Sequence, residues 1–295
     1  QKKRRNCTME NSITFLGTGT SQGQPMIGCD CARCTSQDPR DKRLRASAFV
    51  QYGGLSILVD AGPDFRYQML RARIRHIDAI LLTHNHKDHT GGLDDVRAFN
   101  LVDHHPVSIF CEKYVENTLK GEYPYAFAEV KYQGSPEFDV HIIDGEHPFT
   151  VHSNSLSDWL EWKRGYGYVH LPPREPVDRS VEIVPIQGWH LKQRALSVLG
   201  YRFGKIAYLT DISVIDDDQF EKLRDLDVVT LGCVKMGPHH SHPSLQQCLA
   251  FFERVGAKQS YITHISHLLP AHEEFDRILP ANVHPAYDGL KLVCE

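Results

Sequence analysis

No run in the 295-residue sequence approaches the roughly 18 consecutive apolar residues of a membrane-crossing helix, so a helical membrane protein is excluded. An excess of positive charge is missing as well. With 33 Lys plus Arg against 37 Asp plus Glu the net charge is −4, and no global field draws the chain to a polyanion, although a local basic patch is compatible with that balance. The opening Gln1-Lys2-Lys3-Arg4-Arg5 lacks the apolar segment that follows such charges in a secretory signal. Residues 1–11 therefore read as a flexible, solvated, basic tail. The cytoplasm is the expected compartment, where cysteine binds metal more often than it forms disulfides. No internal repeat and no low-complexity segment stand out. Charged residues at 24% and aromatics at 9% are ordinary for a globular core, which removes the fibrous and disordered classes.

One count is unusual: 18 histidines beside 8 cysteines. Imidazole is the commonest metal ligand, so the places where histidine falls carry the argument. Short β-rich runs recur at Ile13 to Leu16, Ala48 to Tyr52, Ser56 to Val59, Ala79 to Leu82 and Val107 to Cys111. Later runs are Val181 to Ile186, Leu196 to Phe203, Lys205 to Leu209, Val228 to Leu231 and Ser260 to Ile262. Gly53-Gly54 and Gly204 read as hairpin turns. Helical stretches lie at Asp64 to Ala72, Gly92 to Asn100, Asp216 to Leu223, and Ser244 to Val255 with a Ser cap and a Gly256 stop. Many strands with few, widely spaced helices predict an α+β sandwich, sheets packed together and covered outside by helices, as one domain over residues 12–295. From about 112 to 180 the texture changes. Tyr123-Pro124-Tyr125, Trp159, Trp162, Tyr166, Tyr168 and Pro172-Pro173 show little periodicity and read as an insertion, either a surface excursion or a substrate-facing lid.

The densest chemistry is His84-Asn85-His86-Lys87-Asp88-His89, directly after the apolar run Ile80-Leu81-Leu82-Thr83. At 100° per residue His84 and His86 would face nearly opposite sides of a helix, so the cluster needs a loop at a strand end to converge. Three imidazoles and a carboxylate in so short a span suit a borderline divalent ion. His190, Asp211 and His264 each follow a β-like run too, the position from which loops of layered folds meet over one crevice. Five His and two Asp are enough for two ions with a shared carboxylate.

Leu16-Gly17-Thr18-Gly19, Val59-Asp60-Ala61-Gly62, the HxHxDH run, His190, Tyr208-Leu209-Thr210-Asp211 and Thr263-His264 together resemble the metallo-β-lactamase-fold hydrolases. The match runs in order from about residue 12 to the C-terminus, leaving the tail and the 112 to 180 insertion, between HxHxDH and His190, uncovered. The resemblance implies an αββα sandwich with its site at one edge of the two sheets. It implies that His84, His86 and His190 hold one ion, that Asp88, His89 and His264 hold the second, and that Asp211 bridges them, with Asp60 as a carboxylate behind the ligands. The two ions, Zn or Mn, would share a hydroxide that attacks phosphorus in line, oriented by Asp88 and Asp211.

Cys29-Asp30-Cys31-Ala32-Arg33-Cys34 supplies three thiolates, and a tetrahedral structural zinc needs one ligand more. His267, three residues beyond His264, is the candidate. With Gly17 to Gly23 before it and Thr263 to His267 after it, the cysteine loop resembles that of the cyclic-phosphate phosphodiesterases of the carbon-phosphorus lyase pathway. The grasping arm of the tRNA 3′-processing endonucleases is not evident, and the pyrroloquinoline-quinone biosynthesis relatives tend to lack the intact HxHxDH seen here. The resemblance also places a histidine near the Ser244 helix to contact phosphate or protonate the leaving oxygen. His242 is the candidate, with His239 and His240 beside it as alternatives. The expected function is therefore metal-dependent cleavage of a small cyclic phosphate or nucleotide-like phosphodiester. Thioester or lactone hydrolysis, a tRNA-processing-type nuclease and a non-catalytic metal-binding relative are the alternatives. The expected partner is the small phosphodiester itself; nucleic acid is disfavoured by the acidic balance, no membrane is expected, and a homodimer is left open.

Overall fold

The computed structural model describes residues 10–103, 105–153, 178–191 and 193–294. The N-terminal half contributes β1 (Asn11–Gly17), β2 (Ser47–Tyr52), β3 (Leu55–Val59), β4 (Ala79–Leu81), β5 (Val107–Cys111) and β6 (Phe138–Ile142). The rest contributes β7 (Phe149–His152), β8 (Ser180–His190), β9 (Leu196–Phe203), β10 (Ile206–Tyr208), β11 (Val214–Ile215), β12 (Val228–Gly232), β13 (Gln259–Thr263) and β14 (Val283–Pro285), and β15 (Lys291–Cys294) returns to pair with β1. The first sheet runs β15-β1-β2-β3-β4-β5-β6, the second β11-β8-β9-β10-β12-β13-β14 with β7 on β8. Every β-rich run read from the sequence is a strand. Gly53 and Gly54, with φ of 55° and 85°, close the β2–β3 hairpin between the paired Tyr52 and Leu55, a left-handed turn that costs glycine little.

Strand alternation sorts the core into layers. Ile13, Phe15, Val50, Ile57 and Leu81 of the first sheet meet Leu199, Tyr201, Phe203 and Tyr208 of the second in one buried cluster. Leu16, Leu58, Ile80 and Ile109 point the other way, under α1 (Phe65–Ala72), which precedes the short α2 (Lys87–Thr90), and under α3 (Arg97–Asp103). Strands buried on both faces read as continuous apolar runs, which is why periodicity alone assigned no face to them. On the far side, the helix Leu245–Val255 and the helix His272–Ile278 cover Ala207, Val229, Leu231 and Ile262. The result is the expected αββα sandwich.

Two expectations change in detail. Asp217–Leu223 forms a 3₁₀ rather than an α-helix, with Gln219 accepting from the Gln187 N–H and Lys222 bonded to the Gly145 and Pro185 carbonyls, so tertiary bonds set its pitch. The supposed insertion is, over 112 to 153, part of the sandwich. α4 (Lys113–Glu122) and α5 (Pro124–Phe127) bury Val115, Leu119, Tyr123 and Ala126 against the first sheet, β6 extends that sheet in parallel with β5, and β7 pairs with β8. The elements are short and joined by Pro and Gly, so no period survives long enough to be read. Trp159, Trp162, Tyr166, Tyr168 and Pro172-Pro173 lie outside the described residues, as does the tail through Met9; Asn11, expected in that tail, already pairs with Cys294.

The last turn before α1 depends on close approach. A Cβ on Gly62 would lie 2.0 Å from the Asp88 carbonyl oxygen. Gly62→Ala should therefore force the HxHxDH loop outward and destabilise the fold by about 1–3 kcal/mol, read as a lower melting temperature together with weakened metal binding.

Candidate metal centre

The C-terminal ends of β3, β4, β8, β10 and β13 gather at one edge of the sandwich, and each delivers a polar side chain there: Asp60, His84, His190, Asp211 and His264. Asp60, Asp211 and His264 all have left-handed backbones, with φ of 62°, 55° and 52°. A left-handed residue reverses the chain within one position, and Asp and His accept it more readily than most side chains, though at a cost. His86 caps α2, whose single turn carries Asp88 and His89 back under His84. A strand end, a loop and one helical turn thus bring the whole HxHxDH run onto a single pocket.

Ring centroids of His84 lie 4.5 Å from His86, 4.3 Å from His89 and 5.8 Å from His190, and His86 lies 5.0 Å from His190. Asp88 Oδ2 is 3.3 Å from His89 Nε2 and 3.6 Å from His264 Nε2. One oxygen of Asp211 lies 3.3 Å from His89 Nε2 and the other 3.3 Å from His264 Nε2, both expected ligands of the second ion. Ligand atoms of His84, His89 and Asp211 lie within 4.8 Å of one another, as do those of Asp88, His89 and His264. All seven residues picked from the sequence meet at this edge, and Asp211 groups both with His84 and His89 and with His190 and His242.

Buried polar atoms test whether a cation fits. Nε2 of His84, His89 and His264 is buried without a hydrogen-bond partner among the described residues. Their other ring faces are mostly spoken for: Asp60 Oδ2 takes His89 Nδ1 at 2.7 Å, and Thr83 Oγ1 lies 2.9 Å from His84 Nδ1. The Asp211 carbonyl similarly accepts from His190 Nδ1 at 2.9 Å. Imidazoles held from behind with lone pairs turned inward, beside carboxylates, suit divalent metal. Burial alone would raise Asp88 and Asp211, but the imidazoles of His89 and His264 outweigh it and hold both carboxyls below their ordinary range. Burial pushes His84 well down, favouring the neutral ligand form. His89 goes the other way, because Asp60, Asp211 and Asp88 overcome its burial.

Among the three clustered histidines only His242 faces the pocket. It is 7% exposed, its ring 4.8 Å from His190 and 5.0 Å from His264, with Nε2 3.8 Å from Asp211 Oδ1. His239 lies 5.3 Å behind it and His240 beyond that.

The cysteine loop closes on the same segment. Sγ of Cys29, Cys31 and Cys34 lie 3.1, 3.5 and 3.6 Å from His267 Nδ1. Zinc–ligand lengths near 2.3 Å for sulfur and 2.0 Å for nitrogen give tetrahedral S···N edges of about 3.5 Å, so these distances, in a group whose ligand atoms all lie within 4.8 Å of one another, suit a closed zinc site. The Cys34 backbone N–H and His267 bring the Cys31 thiol down to about 6, whereas burial pushes Cys34 up to about 11. Sequence reasoning missed Thr83, which hydrogen-bonds Asp60 with both its N–H and its hydroxyl. It also missed Asp288, whose carboxylate accepts from Thr18 and Leu44 and so fixes the Gly17 to Thr20 loop against Ile265. Thr83 had adjacency to His84 as a signal; Asp288 had none.

A family model described as the β-lactamase superfamily domain matches residues 56–265. A diphosphatase from the PhnP family has 38% sequence identity and a TM-score of 0.78, covering 97% of this chain and 98% of that one. Zinc-bound PqqB from Methylobacterium extorquens, at 14% identity and a TM-score of 0.69 over 95% of this chain and 99% of that one, shares the fold alone. An octanoyltransferase of Porphyromonas gingivalis is 33% identical over 95% of this chain but 51% of its own length, so the chain spans about half of that relative.

Asp60→Asn should keep the shape of the pocket while weakening its hold on His89, lowering metal affinity about 10–100-fold by chelator competition. Cys31→Ser should remove one metal equivalent and lower the melting temperature; a variant with full metal content would count against the zinc site.

Proposed function

The chain belongs to the β-lactamase superfamily of metal-dependent hydrolases, and from that membership we propose that its reaction is hydrolysis of a phosphodiester in a small cyclic phosphate or nucleotide-like substrate. The observation that carries the reading is a buried histidine and carboxylate pocket whose imidazole nitrogens make no hydrogen bond among the described residues, into which His242 reaches from a separate loop. The 38% identity to a PhnP-family diphosphatase over nearly the whole chain supports a phosphoryl rather than a carbonyl substrate.

In this reading His84, His86 and His190 hold one divalent ion and Asp88, His89 and His264 the other, with Asp211 between them, while Cys29, Cys31, Cys34 and His267 hold a structural zinc. Zinc or manganese bound in the pocket would supply Lewis-acid activation of water and neutralise charge on the phosphoryl group. The protein's own groups set the geometry. Asp88 and Asp211, kept ionised by neighbouring imidazoles, would orient an attacking water by accepting its hydrogen bonds. Burial pushes His242 down to about 3, so at neutral pH its ring offers one N–H to a phosphoryl oxygen rather than a positive charge. The negative charge of an arriving phosphate raises the proton affinity of that ring, which is the condition for passing a proton to the leaving oxygen.

A second reading is hydrolysis of a thioester by the same pocket, favoured by the 33% identity to a protein named for octanoyl transfer. Metal activation of water serves carbonyls as well as phosphoryls. A panel of a bis-aryl phosphodiester, cyclic nucleotides and an octanoyl thioester separates the two. Phosphodiester turnover at least a hundredfold above thioester turnover is expected, and the reverse order would replace the first reading by the second. Within the first, His242→Ala should keep its metal content yet lose about 10²–10⁴ in kcat, whereas Asp211→Ala should lose metal and activity together.

A further inference from the structure

A groove of about 840 Å³ opens on the outer face of the first sheet, between the C-terminal end of α1 and β15, and uses none of the metal-centre residues. Thr14, Gln51 and Ser56 give it hydrogen-bonding groups, and Leu16, Phe49 and Ile74 give it apolar wall. Arg71, Arg73, Arg75 and Lys291 surround it. A chain with a net charge of −4 thus gathers four cations about one cavity whose lining holds the single carboxylate Asp288 among the described residues.

Some of that charge is structural and some is spare. Arg71 donates to the Leu16 carbonyl and, at 3.2 Å, to Asp288 Oδ2. Among the described residues Asp288 is the one carboxylate in the lining; its side chain is 3% exposed and already accepts from the Thr18 N–H and hydroxyl and from the Leu44 N–H. His76 is held between Asp78 and Asp103 at 2.8 and 2.9 Å. Arg73 and Arg75 differ. Both are exposed, and no described residue forms an ion pair or side-chain hydrogen bond with either. Among the described residues Lys291 reaches only Gln51 Oε1, at 3.5 Å.

Free guanidinium forks complement phosphate oxygens, and a ring such as Phe49 beside them complements a base or sugar. We propose that this groove is a second, non-catalytic binding site for a phosphate-bearing small molecule of the nucleoside di- or triphosphate class. α1 begins beside the metal centre at Asp64 and runs through eight residues, about 12 Å of helix, before Arg73 caps it. A ligand in the groove therefore does not compete for the catalytic metals.

Calorimetric titration of the metal-loaded protein with ATP and with adenosine, at 50 and 300 mM salt, tests the proposal. ATP should bind, more weakly at the higher salt, and adenosine should bind at least tenfold more weakly than ATP. Arg73→Asn/Arg75→Gln changes two exposed side chains, and Asn tolerates the left-handed backbone of Arg73. That double variant should bind ATP at least tenfold more weakly with melting temperature, metal content and hydrolytic activity unchanged, while Asp211→Asn should retain ATP binding. The proposal is overturned by ATP binding in the double variant equal to that of the parent, by equal affinity for adenosine, by loss of ATP binding in Asp211→Asn alone, or by no binding to the parent at millimolar ATP.

Discussion

The carboxylate of Asp60 is the constraint around which the site is assembled. It is fully buried, and burial alone drives it toward its neutral form. An unpaired buried carboxylate would cost several kcal/mol. Here its oxygens receive His89 Nδ1 and both donors of Thr83, while its backbone carbonyl receives the Ser47 hydroxyl. A single residue therefore joins the ends of β2, β3 and β4 to α2. Because the penalty for separating these partners is large, the HxHxDH loop has one conformation in which its charges are satisfied, and that conformation turns the imidazole nitrogens inward.

The second sheet is attached to this arrangement by polar bonds as well as by packing. Tyr201 donates its hydroxyl to the Leu82 carbonyl at 2.6 Å, and the Leu199 N–H reaches the Thr83 carbonyl at 3.0 Å. These bonds cross the apolar interior immediately below His84 and set the depth at which His190 stands relative to the first sheet. On the opposite flank Ile265, next to His264, bonds through its N–H to Thr18 and through its carbonyl to Thr20. His264 is thus held between that strap and the His267 thiol cluster, and its left-handed backbone persists because both neighbours over-determine it.

Much of this was legible in the sequence because the informative residues are local. HxHxDH is contiguous, CxCxxC is contiguous, and each remaining site residue closes an apolar run whose strand character follows from composition. Ser244 and Gln247 form the capping box, and Gly256 ends that helix in the left-handed region, as the cap and stop signals predict. What escaped was non-local or masked by short elements. Asp288 acts on Thr18 from 270 positions away, and nothing near either residue announces the other. The run from 112 to 153 hides two short strands, β6 and β7, and two short helices among prolines and aromatics, so an integral part of both sheets resembled an excursion from them. His242 was the candidate from the sequence, but what sets it apart from His239 and His240, a ring beside Asp211, is visible only in the fold.

The pairing of β1 with β15 has an architectural consequence. Asn11 lies opposite Cys294 in an antiparallel ladder, so the first and last strands share one sheet edge and run in opposite directions. A unit whose entry and exit lie side by side can be spliced into a longer polypeptide as a cassette, because joining further sequence at either end separates no strands and exposes no core.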